Sequence, residues 1–220
     1  MSLLDGMKLT LVQHNLIPHA WLRYQLEYDL RRWERSQQAP YPHIMKQRIV
    51  LDYAAASEVR VFIETGTYYG NMLQACLGHF DKLISFEIEQ HFYGRAEKVF
   101  GRRPNVTLVH GDSGELLPKI LSMIKSPCLF WLDAHYSCGL TGRAKLETPI
   151  RSELEAILGH PYRHLVLIDD ASSFDGTHDY PKITWIEEAA RKASYSLSVS
   201  DNIIRLIAPK ELARQQSQFG

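Results

Sequence analysis

Val61-Phe62-Ile63-Glu64-Thr65-Gly66-Thr67-Tyr68-Tyr69-Gly70 joins an apolar run to an acid and then to a turn punctuated by glycine. A short apolar run without alternation is the pattern of a strand buried on both faces. Glycines immediately after it let the backbone turn tightly into a helix and approach a ligand closely. Four more runs share the pattern: Leu83-Ile84-Ser85-Phe86, Val106-Thr107-Leu108-Val109, Leu129-Phe130-Trp131-Leu132 and Leu165-Val166-Leu167-Ile168. The spacing predicts helices between them, over about 70–79, 90–100, 113–125 and 149–158, with another over 43–56 ahead of the first run. Thr148 followed by Pro149 supplies an N-cap and a proline at the first helical position. This alternation predicts a doubly wound α/β domain on a mostly parallel sheet. A last helix, about 181–193, precedes two strand-like pieces, 195–200 and 203–208, joined at Ser200-Asp201-Asn202 as a hairpin.

A carboxylate stands at or just past the end of every run: Glu64, Glu87, Asp112, Asp133 and Asp169. The first four are 23, 25 and 21 residues apart, about one strand-helix unit each. Ligands of open parallel sheets bind beyond the carboxyl ends of the strands, so these acids are expected to line one cleft. Capping of the following helices is the alternative. It suits Asp112, with Glu115 placed to complete a capping box, better than it suits the glutamates. The turn after the first run is not the Gly-x-Gly-x-x-Gly of dinucleotide binding, and an acid ahead of the first glycine would repel a pyrophosphate. A cationic ligand fits it.

Glu64-Thr-Gly-Thr-Tyr-Tyr-Gly70 resembles motif I of the class I S-adenosylmethionine-dependent methyltransferases, over about residues 45–208. The resemblance implies a Rossmann-like, seven-stranded, mostly parallel sheet with helices on both faces and a C-terminal antiparallel hairpin. It implies Glu64, Gly66, Thr67 and Gly70 around the methionine part of the cofactor. Glu87 would accept from the ribose hydroxyls, and Asp112 and Ser113 would lie at the adenine. Leu132-Asp133-Ala134-His135 and Ile168-Asp169-Asp170 resemble more narrowly the magnesium-dependent O-methyltransferases of catechol and macrocin type. That resemblance implies Mg2+ on Asp133, Asp169 and Asp170, with Asp133 also facing the cofactor. Magnesium, a hard cation, takes carboxylate oxygens and can acidify a bound hydroxyl. The pair Asp169-Asp170 is closer to the macrocin type, since the catechol type has Asp-Asn. Tyr136 stands where the catechol type has a lysine, and His135 where the macrocin type tends to carry an acid. His135 is therefore the candidate base, with Tyr136 as its substitute. The loop 135–147 carries Gly139, Gly142, Arg143 and Lys145 and is long enough to meet substrate; the segment Phe174 to Pro181, with Tyr180, is a candidate wall of the acceptor pocket.

The function so implied is methyl transfer to a hydroxyl of a small molecule or sugar. The alternatives are transfer to nitrogen or a macromolecule, and a non-catalytic cofactor-binding protein of the same fold. No Asp/Asn-Pro-Pro-aromatic segment follows the fourth run, which disfavours nucleobase amino groups. Twenty-five basic and 25 acidic side chains leave no basic excess for nucleic acid. No apolar stretch is long enough to span a membrane. Residues 1–10 lack the pattern of a secretory signal, so a cytoplasmic location is expected. The three cysteines, Cys76, Cys128 and Cys138, form no Cys-x-x-Cys, and Cys128 sits in an apolar run as a core residue. Residues 1–42 read as a helical extension to a domain of 43–220. Its amphipathic helix, with Leu22, Leu26, Leu30 and Trp33 in register, is suited to packing on the domain, to packing on a second copy in a homodimer, or to forming a lid.

Overall fold

The computed structural model describes residues 19–36, 41–133 and 148–209. The chain divides into two compact units, Met1–Val50 and Leu51–Gly220. The division falls inside a helix, α2 (His43–Ala56). The first unit contains α1 (His19–Ser36). Trp33 of this helix meets Tyr41 at 5.8 Å between ring centroids, while Tyr24 and Tyr28 are exposed.

The second unit contains β1 (Val61–Thr65), α3 (Asn71–Cys76), β2 (Lys82–Glu87), α4 (Gln90–Phe100), β3 (Val106–His110), α5 (Ser113–Leu121), β4 (Cys128–Leu132), α6 (Ile150–Leu158), β5 (Leu165–Ile168), α7 (Ile183–Lys192), β6 (Ser196–Ser200) and β7 (Ile203–Ile207). The seven strands form one sheet in the order β3-β2-β1-β4-β5-β7-β6. Strands β1 to β5 are parallel, and β7 runs antiparallel to both β5 and β6. The expected Rossmann-like sheet with its terminal hairpin is the observed one. The hairpin turns on Asp201 and Asn202, both left-handed (φ 53° and 58°), the conformation that matches strand twist in a two-residue turn.

Side-chain alternation sorts the buried strands between two helical layers. Ile63, Ile84, Phe86, Phe130, Leu132, Val166, Ile168, Ile204 and Leu206 share one apolar cluster with Leu117 and Leu121 of α5, Leu154 and Ile157 of α6, and Ile186 of α7. The intervening residues, Phe62, Leu83, Leu129, Trp131, Leu165 and Leu167, are equally buried on the opposite face. Both faces being covered explains why the strands read as continuous apolar runs. Cys76 and Cys128 are buried core thiols, and burial pushes the Cys128 thiol up to about 12.

A histidine pair ties the amino ends of the strands together. The Cys128 amide donates to His164 Nδ1 (3.0 Å), so the His164 proton sits on Nε2 and points at His160 Nδ1 (2.9 Å). His160 then carries its own proton on Nε2, facing the Leu121 carbonyl at 3.0 Å. The His164 amide donates to the Tyr195 hydroxyl at 2.8 Å. Burial, with His160 beside it, drives His164 down to about 3, so it is neutral at physiological pH. Among the described residues no helix is long and apolar enough to cross a membrane.

Candidate functional site

The parallel register brings the acids to one edge. The chain reverses direction across the sheet between β1 and β4, the position at which open α/β sheets form a ligand crevice. Hydrogen bonds continue the ladder past the strand ends. The Gly66 amide donates to the Phe86 carbonyl (3.0 Å), Gly111 to Glu87 (2.9 Å), Asp133 to Thr65 (3.1 Å) and Asp169 to Leu132 (3.0 Å). Glu87, Asp133 and Asp169 therefore end neighbouring strands at a common level, with Glu64 two residues further in, near the end of β1.

On the β1–β2 side, Glu64 lies opposite Ser85 in register and is 1% exposed. Ser85 Oγ donates to Glu64 Oε1 at 2.5 Å, and Thr67 Oγ1 meets Ser85 Oγ at 2.5 Å. Burial pushes the Glu64 carboxyl up to about 8; the Ser85 hydrogen bond opposes this, and Asp133 and Glu87 add to it. Thr67, a candidate cofactor residue, is buried, with its hydroxyl engaged by Ser85 and the Phe86 carbonyl. Glu87 is held by backbone amides, Tyr68 on Oε2 (2.7 Å) and Glu89 on Oε1 (2.9 Å). Its carboxyl is raised, by burial first, against those same hydrogen bonds. Gly70 has φ +77°, and a Cβ there would lie 2.6 Å from the Phe100 ring, so only glycine lets this turn close on α4.

At β3 the resemblance placed Asp112 and Ser113 at the adenine. The structure shows Asp112 capping α5, its Oδ1 accepting from the Gly114 amide at 2.8 Å. Ser113 is 5% exposed and donates inward to Glu153 Oε1 at 2.6 Å. Glu153 is fully buried on α6 and was not singled out from the sequence. Burial pushes it up to about 7, against the Ser113 and Thr65 hydroxyls. The available signal was a glutamate inside the stripe Ile150, Leu154 and Ile157 of α6, where only apolar residues belong. Thr148 Oγ1 accepts from the Ile150 amide at 3.3 Å, at the start of that helix.

On the β4–β5 side, Asp133, Asp169 and Asp170 each offer a carboxylate oxygen within 4.8 Å of the others. Asp170 has a left-handed backbone (φ 53°), its amide donates to Asp169 Oδ1 (2.8 Å), and the Asn202 side-chain amide donates to its Oδ1 (3.3 Å). The turn of the β6–β7 hairpin thus holds one member of the cluster. Like charges at this distance repel, and three hard oxygens fixed on strand ends suit a small divalent cation. Asp133 and Asp169 line a recess with Phe174 and Tyr180. Burial first, then Asp170, Asp133, Asp169 and Glu153, raises the Tyr180 phenol well above its usual range. His135, Tyr136, Arg143 and Lys145 lie outside the described residues.

No protein-family model matches the chain, and no curated protein matches it by sequence. Solved structures do. The S-adenosylhomocysteine-bound methyltransferase PaMTH1 of Podospora anserina superposes with TM-score 0.53 at 14% identity, covering 94% of this chain and 97% of its own. The N-methyltransferase NodS of Bradyrhizobium japonicum gives 0.51 at 14% identity, covering 76% and 96%. The O-methyltransferase TomG of Streptomyces achromogenes, solved with S-adenosylmethionine, gives 0.50 at 14% identity, covering 83% and 89%. What this chain shares with them is the fold: the Rossmann-like fold of the S-adenosylmethionine-dependent methyltransferases.

Proposed function

We propose that the protein transfers a methyl group from S-adenosylmethionine to a hydroxyl oxygen of a small molecule or sugar, with Mg2+ held by Asp133, Asp169 and Asp170. One observation carries the reading. The sheet sets two buried carboxylates, Glu64 and Glu87, on the same side as a three-carboxylate cluster, the arrangement expected of the magnesium-dependent O-methyltransferases of macrocin or catechol type. When bound, the cation would bind and acidify the acceptor hydroxyl. The chain's own groups do the rest. Gly66 and Gly70 open the turn for the methionine part, with Thr67 bracing it from within. Glu87 faces the ribose, with Asp112 and Ser113 framing the adenine end, and Glu64 sets a potential that favours the sulfonium. Sheet-edge rigidity aligns oxygen, methyl carbon and sulfur for in-line attack. His135 takes the proton, with Tyr136 as the alternative base. The direct experiment is methyl transfer to an acceptor panel of alcohols, phenols, sugars and amines, with Mg2+ and in excess chelator. Transfer to amines alone, or full activity in chelator, would overturn the reading.

Two outcomes are expected for the cofactor. Glu87→Ala should weaken S-adenosylmethionine binding by about 1.5–3 kcal/mol, roughly ten- to a hundredfold, measured by calorimetry. Unchanged affinity removes Glu87 from the site. The second outcome concerns pH. S-adenosylmethionine carries a sulfonium charge that S-adenosylhomocysteine lacks, and the sulfonium stabilises ionised Glu64. With that carboxyl at about 8 in the free protein, the affinity ratio of the two should rise as pH climbs towards 8 and level off above it. Glu64→Gln should flatten the ratio; a ratio independent of pH in the wild type would place the sulfonium away from Glu64.

A further inference from the structure

We infer that the Tyr180 hydroxyl is a hydrogen-bond donor to the methyl acceptor, gripping a hydroxyl or carbonyl oxygen beside Asp133 and Asp169; this rests on the function proposed above. Tyr180 follows a two-residue turn. His178 and Asp179 both have left-handed backbones (φ 52° and 63°), and the Tyr180 amide closes the turn on the Thr177 carbonyl at 2.9 Å. Asp175 braces it from below, accepting from the Thr177 amide (2.8 Å) and hydroxyl (2.7 Å), and pairs with Lys182 across the hairpin. The Ile183 amide then donates to the Phe174 carbonyl at 3.0 Å, sealing the base. Two successive left-handed non-glycine residues cost energy, and such positions persist where the surroundings over-determine them.

The product of this construction is the placement of one phenol. Its ring packs edge to face with Phe174 (centroids 5.1 Å apart), itself 4% exposed, and both line the recess with Asp133 and Asp169. The other polar side chains there are less suited. Asp133 and Asp169 are acceptors, and buried Thr148 caps α6. An acceptor oxygen held beside these aspartates, on the cation proposed there, keeps a lone pair that a protein donor can take. Tyr180 is that donor among the described residues lining the recess, half-buried and so reachable from outside.

The test uses the full chain loaded with Mn2+ and S-adenosylhomocysteine, and acetohydroxamate as a small oxygen-donor probe. Mn2+ affinity is read by electron paramagnetic resonance, S-adenosylhomocysteine affinity by calorimetry, and acetohydroxamate affinity by water-proton relaxation. Tyr180→Phe keeps the ring and its packing on Phe174. It should weaken acetohydroxamate about tenfold, with Mn2+ and S-adenosylhomocysteine affinities within about twofold of wild type. Three results overturn the inference: equal acetohydroxamate affinity in wild type and variant, a parallel fall in Mn2+ affinity, which would make Tyr180 a support for the aspartates instead, or no acetohydroxamate binding to a wild type that holds both Mn2+ and S-adenosylhomocysteine. A wild type that binds S-adenosylhomocysteine but no Mn2+ overturns the metal part of the proposed function, and the inference with it.

Discussion

Asp169→Ala is expected to lower methyl transfer by on the order of 10³-fold or more while leaving S-adenosylhomocysteine affinity within about twofold. The effect is large because the proposed cation supplies several kcal/mol of charge stabilisation at the acceptor oxygen, and each 1.36 kcal/mol is tenfold in rate. It is selective because the aspartate stands on the β4–β5 half of the cleft, away from the Glu64–Glu87 edge proposed for the donor. Asp169 Oδ1 also accepts from the Asp170 amide, so truncation disturbs two of the three carboxylates together. Asp133→Ala should behave alike. The measurements are turnover in a magnesium titration and calorimetry with S-adenosylhomocysteine. A variant with near-normal turnover would remove Asp169 from the chemistry, and equal loss of cofactor affinity would make the cluster a structural prop.

The second large effect is on acid stability and lies at the other end of the sheet. His164 is about 3 in the folded chain, against about 6.5 in an unfolded one. Between those values the unfolded chain binds the extra proton and the folded chain does not, so this histidine's contribution is fully present above pH 6.5 and is lost as pH falls towards 3. The slope is about 1.4 kcal/mol per pH unit. Glu64 and Glu153 act in the opposite sense, since their raised carboxyls take protons more readily folded than unfolded. The histidine contribution is therefore read as a difference: the gap in unfolding free energy between wild type and His164→Gln should shrink by about 2 kcal/mol from pH 7 to pH 5. Urea titrations with matched m-values would measure it. The groups around this ring are His160, Tyr195, Arg163 and Cys128, and none of them replaces an imidazole that accepts from Cys128 while donating to His160. A constant gap across that range would mean that His164 takes up its proton without leaving its place.

Much of this architecture was legible because burial on both faces leaves a simple trace. Five apolar runs became five parallel strands, and Glu87, Asp133 and Asp169 came level at one sheet edge, with Glu64 two residues behind them, because parallel register keeps equivalent positions level. The hairpin at Ser200-Asp201-Asn202 was legible from its turn residues. Helix lengths were not. The helix expected over 70–79 stops at Cys76, where Leu77 adopts an extended backbone (ψ 133°) and Gly78 a left-handed one (φ 82°). The one expected over 113–125 ends at Leu121, with Pro118 inside it. Side-chain direction was the other blind spot. Sequence places Ser113 and Thr67 next to the cleft, but which way a hydroxyl turns is decided by buried partners, Glu153 and Ser85, on other elements.

The order β3-β2-β1-β4-β5-β7-β6 carries a consequence for how this protein diversifies. One block of sequence, residues 61–112, holds everything assigned to the donor except Ser113 and Asp133, whereas the cluster, the Tyr180 hairpin and the Asn202 clamp all fall after residue 132. A single crossover between those blocks exchanges the proposed acceptor half, provided that the β1–β4 backbone pairing, the apolar cluster that α5 shares with α6 and the Ser113–Glu153 hydrogen bond are kept. Chimaeras joined between α5 and β4 should keep the donor affinity of the front parent and inherit the acceptor preference of the rear one.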